Sequence, residues 1–369
     1  MKVICERAAL VNAVNLCNSV VSQRTPAPVL QCMKLSATKG LLTLAATDLE
    51  VGLRLGLERV EVEEEGEALI PADKLSQIIR ACDDPTLTLD TDDHALHIRG
   101  ENSHFKVYGF DPKEAPQVRD FAGIKAECEI HAGTLQRLVS RTLFAAAAEH
   151  SRYAINGVLF DRKGKKLRLI ATDGRRLAMA KGDCGKGDGD ASCIVPTKAL
   201  NLINKLIVNP DDTVRFSVQD NQVIFAVGEG ETAVLTSNLV EGAFPPFEDV
   251  IPKDQDKRVT FDATTLASAI RRAALLTNEE SKGVRLSFGD KTLTLTSRAP
   301  EMGEAEVTLQ AEKYEGEALE ICFNPGYITD ALKVVDGGDV IIELKAANKP
   351  GVISTGQDFT YVIMPVNLQ

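Results

Sequence analysis

The sequence predicts an α+β chain built from one unit used three times, each unit carrying two helices laid on antiparallel sheet. Three observations predict it. The stretch ATDGRRLAMA at residues 171–180 has a counterpart, ATDLEVGLRL, at residues 46–55, which is 125 positions earlier. Pro71 in IPADKLSQII and Pro196 in VPTKALNLI are again 125 positions apart, and FNPGYITDALKVV supplies a third copy with Pro325. An opening helix recurs as CERAALVNAVNLCNSVV near Cys5, HAGTLQRLVSRTLFAAAA near His131 and FDATTLASAIRRAALL near Phe261. Self-similarity of this kind marks a repeated structural unit.

The elements follow in order. VICERAAL passes from strand to helix, and Leu10, Val14, Cys17 and Val21 then mark one helical face at spacings of four, three and four. KLSATKGLLTLAATDLEVGLRL, EGEALIPADKL, PTLTLDTDDHALHIRG and SHFKVYGF read as strand pairs with Gly, Asp or Asn turns. Each repeated proline is expected at the start of an amphipathic helix, where its missing N–H costs nothing. The third unit repeats the apolar strand as KTLTLTSRAP, with Ser297-Arg298 in place of the Thr-Asp pair. Polar, proline-bearing stretches, DPKEAPQVRDFAGIKAE and PPFEDVIPKDQDKRVT, set expected boundaries of 1–124, 125–254 and 255–369.

Composition excludes several classes. The 369 residues are 44% hydrophobic and 26% charged, ordinary for a globular chain. No apolar run is long enough for a membrane span, and Glu6 and Arg7 interrupt any signal-peptide core, so neither membrane insertion nor secretion is expected. The eight cysteines include no Cys-x-x-Cys and read as reduced core thiols of a cytosolic protein. His94 and His97 lie three apart on an alternating strand and point to opposite faces, so no metal or other cofactor is expected. The net charge of −11 argues against coating nucleic acid by bulk charge, but permits a basic surface on one face.

The Thr-Asp pair admits an enzymatic reading. A metal-dependent hydrolase could use Asp48, Glu50 and Asp173, since Asp48 and Glu50 would share a strand face. Against it, no histidine or cysteine cluster supports them, and the third unit lacks the pair. KGDCGKGDGD at 181–190 matches neither a phosphate loop nor an EF-hand and reads as a hairpin tip. Recurrence makes Thr-Asp first a feature of the fold, with Asp173 organising its turn. A binding scaffold unrelated to DNA is the third reading.

ATDGRRLA, YAINGVLF at 153–160, IVPTKAL at 194–200, SNLVEGAFPPFEDVIP at 237–252, RAALLTNEESKGVRL at 272–286 and YVIMPVNL at 361–368 carry a resemblance over the whole length. The chain resembles the bacterial DNA polymerase III β subunit family, the sliding clamps. The resemblance implies three similar domains per subunit. It implies a head-to-tail homodimeric ring with helices lining a hole for double-stranded DNA, held without sequence preference. It also implies a cytoplasmic processivity factor for DNA replication with no catalytic site. A cleft between the second and third domains would take short peptides from the polymerase III α subunit, the clamp loader and other proteins bearing a clamp-binding motif.

Carried over residue by residue, the cleft would comprise Ile155, Thr172, Gly174, Arg175, Arg176, Leu177, Pro245, Val250, Asn324, Tyr327, Val362, Ile363, Met364, Pro365, Val366 and Leu368. The family often has histidine where Arg175 stands. Ile155, Leu177, Val250, Ile363 and Met364 would supply apolar walls, and Arg175 and Arg176 a rim of donors. Read alone, YVIMPV is equally an edge strand of the third core. DNA contacts would come from Arg24, Lys74, Arg80, Arg137, Arg141, Lys198, Arg271, Arg272 and Lys282, with Arg7, Lys205 and Lys333 on the same helical faces. Glu149 and Ala154 depart from the family pattern, and Glu149 would repel phosphate. At the subunit seam, Leu275 and Leu276 would pack near Phe105 and Val107, with Glu301, Glu304 and Glu306 facing Lys74 and Arg99.

Overall fold

A computed structural model describes residues 1–22, 24–148, 155–187, 189–228, 230, 232–277, 283–289 and 291–366. Among the described residues six α-helices stand with 27 strands: α1 Arg7–Asn18, α2 Ala72–Ala81, α3 Ala132–Ser140, α4 Thr197–Leu206, α5 Ala263–Ala273 and α6 Pro325–Lys333. Every strand pairing is antiparallel. The α+β class read from the sequence is the observed one. No helix among the described residues is long and apolar enough to cross a membrane.

The chain divides into two compact units. The first takes residues 1–136, 184–188 and 198–239, and the second 137–183, 189–197 and 240–369. The division passes through the middle repeat because the sheets run from one repeat into the next. In the first unit a five-stranded sheet runs in the order Val60–Glu64, Lys2–Glu6, Thr86–Asp92, Ala95–Arg99, His104–Tyr108. Its nine-stranded sheet joins first-repeat to second-repeat strands where Val51–Leu57 pairs with Ala233–Asn238. Gly52 permits that join, since a Cβ there would lie 2.6 Å from the Thr236 hydroxyl. The second unit repeats the plan. Arg176–Asp183 pairs with Phe359–Ile363 inside a nine-stranded sheet, and a four-stranded sheet ends at Gly303–Gln310.

Alternation explains the cores. Val3, Cys5, Leu87, Leu89, Leu96 and Ile98 are buried on one face of the five-stranded sheet. On α1, Leu10, Val14 and Cys17 are buried at helical spacing. Helix α1 packs on α2, where Asn15 Oδ1 accepts from the Ser76 hydroxyl at 3.2 Å and from Arg80 Nε at 2.9 Å. Helix α5 is capped by Asp262, whose carboxylate accepts from Thr265 N at 2.8 Å.

Three expectations change. Only Pro325 sits at the first helical position, whereas Pro71 and Pro196 end strands one residue before their helices. Both strands lie at sheet edges, where a missing N–H interrupts no ladder. The 181–190 stretch is more than a hairpin tip, because Lys186–Gly187 pairs with Cys128–Glu129 and Cys184 is buried. His94 occupies a turn, while His97 meets a histidine that the spacing did not suggest, with Nδ1 2.8 Å from His104 Nε2.

Candidate functional site

The turn after Lys166–Thr172 is built by its own side chains. The Thr172 hydroxyl donates to Arg176 O at 2.6 Å and accepts from Gly174 N at 3.1 Å. Asp173 Oδ1 accepts from Arg175 N at 2.9 Å and from Arg176 N at 3.1 Å. Gly174 takes φ 85°, a left-handed conformation that glycine adopts without strain. The copy in the first unit is wired alike. Thr47 donates to Val51 O, and Asp48 Oδ1 accepts from Glu50 N and Val51 N. There Leu49 occupies the left-handed position at φ 75°. The motif is a side-chain-locked turn in both repeats.

What the turn carries differs. Arg176 Nε donates to Asp173 Oδ2 at 2.9 Å, one terminal nitrogen to Asp330 Oδ2 at 2.9 Å, and the other to Phe144 O at 2.8 Å. Its guanidinium carbon stands 4.4 Å from the Tyr327 ring centroid and 5.5 Å from that of Phe144. Burial opposes the Arg176 charge, but the bond to Asp330 and the neighbouring Tyr361 and Asp173 outweigh it, so its pKa is raised. The Tyr361 phenol, pushed up by burial, donates to Tyr327 O at 2.9 Å. Arg176 therefore ties the turn to α6, and each of its three guanidinium nitrogens donates a hydrogen bond within the unit. Arg175 is the exposed cation of the pair.

Around this turn lies an apolar wall. Leu177, Val362, Met179, Leu159, Ile170 and Ile194 form one buried cluster, and Val240, Phe244, Phe247 and Ile251 pack against it. Arg168 holds the segment bearing those phenylalanines: it pairs with Glu248 at 3.0 Å and lies 5.4 Å from the Phe247 ring centroid. The last strand pairs Leu177 with Val362 and Arg176 with Ile363, then peels away after Met364 N donates to Arg175 O at 3.0 Å. Met364 and Val250 are left 40% and 45% exposed.

The carried-over residues thus gather in one unit with distinct parts. Gly174, Arg175, Val250 and Met364 are exposed, and Pro245, Tyr327, Pro365 and Val366 half-buried. Ile155, Thr172, Leu177, Val362 and Ile363 are buried supports, and Asn324 is the α6 cap, accepting from Gly326 N at 2.9 Å. Leu368 lies outside the described residues, as do Lys282, Glu149 and Ala154. Sequence reasoning did not name Phe144, Phe247, Asp330 or Tyr361. Asp330 was within reach, because it sits three residues after Tyr327 on the same face of α6.

The basic residues sort similarly. Arg24 and Lys74 in the first unit, and Arg137, Arg271 and Arg272 in the second, are exposed and make no ion pair with another described residue. Three others have partners. Lys198 is bound to Asp48, Arg80 to Asn15, and Arg141 is 13% exposed, stacked over Phe359 and 3.8 Å from Asp336. Burial, with Arg137 nearby, lowers the Arg141 pKa. At the far strands, Phe105 is half-buried and Val107 buried, whereas Leu275 is 74% exposed and Met302 66%. Glu301, Glu304 and Glu306 are exposed, and Glu304 pairs with Arg298 at 3.1 Å.

The hydrolase reading fails on this geometry. Asp48 and Asp173 each serve their own turn and a cation, Lys198 or Arg176. No three His, Cys, Asp or Glu side chains converge as metal donors among the described residues.

Comparison with known proteins gives one answer. Sequence profiles of the DNA polymerase III beta subunit match as its N-terminal domain over 1–119, its central domain over 129–246 and its C-terminal domain over 248–367. The beta sliding clamp of Escherichia coli K12 is 30% identical over 371 residues, covering 100% of both chains. That of Pseudomonas aeruginosa PAO1 is 34% identical over 369 residues, covering 98% of this chain and 99% of the relative. Among solved structures, the sliding clamp of Bacillus subtilis superposes with a TM-score of 0.93 at 26% identity. The P. aeruginosa clamp bound to griselimycin does so with 0.92 at 32% identity, and both cover 100% of each chain. The chain belongs to the DNA polymerase III beta subunit family, the beta sliding clamps.

Proposed function

We propose that two copies of this chain close head to tail into a ring around double-stranded DNA, with the repeats at 1–124, 125–254 and 255–369 as its domains. The ring acts in the cytoplasm as a non-catalytic processivity factor in DNA replication. One observation carries the ring. The nine-stranded sheets each join strands of two repeats, and the edge strands of the two smaller sheets include His104–Tyr108 in the first unit and Gly303–Gln310 in the second. An unpaired edge invites another strand, and pairing the two edges between copies removes both. Exposed Leu275 and Met302, beside the acidic Glu301, Glu304 and Glu306, suit such a seam, with Tyr108, Lys74 and Arg99 across it.

DNA would be held by Arg24, Lys74, Arg137, Arg271 and Arg272, long cations that touch phosphate without reading bases. Lys198, Arg80 and Arg141 would contribute less, because their partners compete with phosphate. The cleft of Gly174, Arg175, Leu177, Pro245, Val250, Tyr327 and Met364 takes a short peptide from the polymerase III α subunit, the clamp loader or another partner. Its apolar floor, its adaptable methionine and one exposed arginine support this reading. Fluorescence anisotropy of a polymerase-derived peptide tests it. Deleting residues 366–369 is expected to abolish binding while sedimentation still shows the dimer, and retained affinity would remove the assignment.

A further inference from the structure

The eight cysteines are not equivalent. Cys5 donates to Leu87 O and Cys32 to Pro28 O, and burial pushes their thiols up to about 12 and about 11. Burial likewise pushes Cys322 up to about 11, so these three stay protonated and unreactive at neutral pH. Cys128 and Cys184 differ in having each other: their sulfurs stand 2.8 Å apart, closer than non-bonded sulfurs pack comfortably. Both side chains are buried, at 0% and 4% exposure.

The surroundings set this pair at a seam within the first unit. Cys128 opens the strand Cys128–His131, which pairs with Phe216 on one side and with Gly187 on the other. Cys184 begins the segment that supplies that outer strand, Lys186–Gly187, and Gly185 N donates to Glu129 O at 2.7 Å. The strand is two residues long and lies at the end of its sheet, with Lys186 reaching back to Glu129 at 3.1 Å. So short an edge opens locally at little cost, which gives a small oxidant access to two thiols otherwise shielded.

We propose that Cys128 and Cys184 form a reversible disulfide that locks the 184–187 segment onto the nine-stranded sheet. With a peroxide as oxidant, one thiol is oxidised to a sulfenic acid and releases one water. The second thiol then attacks that sulfur, the S–O bond breaks, and the oxygen leaves as a second water. The two thiols are oxidised and the peroxide oxygens reduced. Closing to the about 2.05 Å bond length needs less than an ångström of sulfur movement, and the bond bridges neighbouring segments of one sheet. A small dithiol restores both thiols and is itself left as a disulfide. The proposal stands apart from the ring and peptide readings.

Hydrogen peroxide titrated into the reduced full-length protein tests it. Mass spectrometry of the non-reduced digest is expected to find the peptides holding Cys128 and Cys184 joined, two hydrogens lighter than their sum. The other six cysteines should remain open to alkylation after denaturation. The oxidised protein should unfold several degrees higher than the reduced one, an increment absent from Cys184→Ser and reversed by dithiothreitol. Oxidation that falls first on half-exposed Cys193, or that leaves Cys128 and Cys184 unjoined while the fold is intact, overturns the proposal.

Discussion

The guanidinium of Arg176 is bound to the carboxylate of Asp330 at 2.9 Å, across 154 residues of sequence. This bond joins the turn of the middle repeat to α6 of the third. The flanking side chains are mostly shielded, at 11% and 32% exposure, so removing one partner strands the other in a poorly solvated place. Arg176→Ala should lower unfolding free energy by roughly 2–4 kcal/mol, read from the denaturant midpoint. The joint change Arg176→Met with Asp330→Leu should cost clearly less. If the single change is silent, Arg176 is not the tie described above.

The two copies of the turn predict opposite responses. Gly174 has nothing within 4 Å of a built Cβ, so Gly174→Ala meets only the cost of a left-handed backbone, about 1 kcal/mol. Leu49 already bears that strain and is 62% exposed, so Leu49→Gly should raise stability by up to about 1 kcal/mol. Thermal unfolding of both variants checks the signs. Equal losses would mean the turns are not equivalent.

The proposed seam would rest on apolar contact more than on charge, because exposed ion pairs add little. Leu275→Ala with Leu276→Ala should shift sedimentation from dimer toward monomer, with the far-UV spectrum unchanged. A dimer of undiminished affinity would place those leucines outside the interface.

DNA retention should fall in Arg24→Glu without loss of fold, since Arg24 is exposed on a loop after α1. Each lost phosphate contact should flatten the logarithmic salt dependence by about one. Lys198→Ala should instead show mainly a stability loss, because Lys198 is bound to Asp48. The reverse pattern would exchange their roles.

Much of this was legible in the sequence because the repeat displays it three times. Spacings of 125 between the Thr-Asp and proline motifs were enough for the α+β unit and for the role of Asp173 in its own turn. Pairings between repeats were not legible. Nothing in VGLRLGL announces that Val51 meets Ser237, nor in RRLAMA that Arg176 meets Ile363, since register depends on partners distant in sequence. The basic residues show the same limit. Composition counts Lys198 and Arg141 with Arg24, yet only the fold reveals that Asp48 and Phe359 already engage the first two. Likewise Arg175 and Arg176 are adjacent and alike on paper, and only the position of Asp330 separates the exposed cation from the structural one.

Encirclement of DNA by a closed ring is a topological property, and the geometry of the DNA tests it. Protein loaded on a nicked circular plasmid and passed over a sizing column in high salt should stay with the DNA. Cutting the plasmid once should release it, because a ring slides off an end while salt has already weakened phosphate contacts. Retention that is the same on circular and linear DNA, or absent from both after loading, would contradict a closed ring around the duplex.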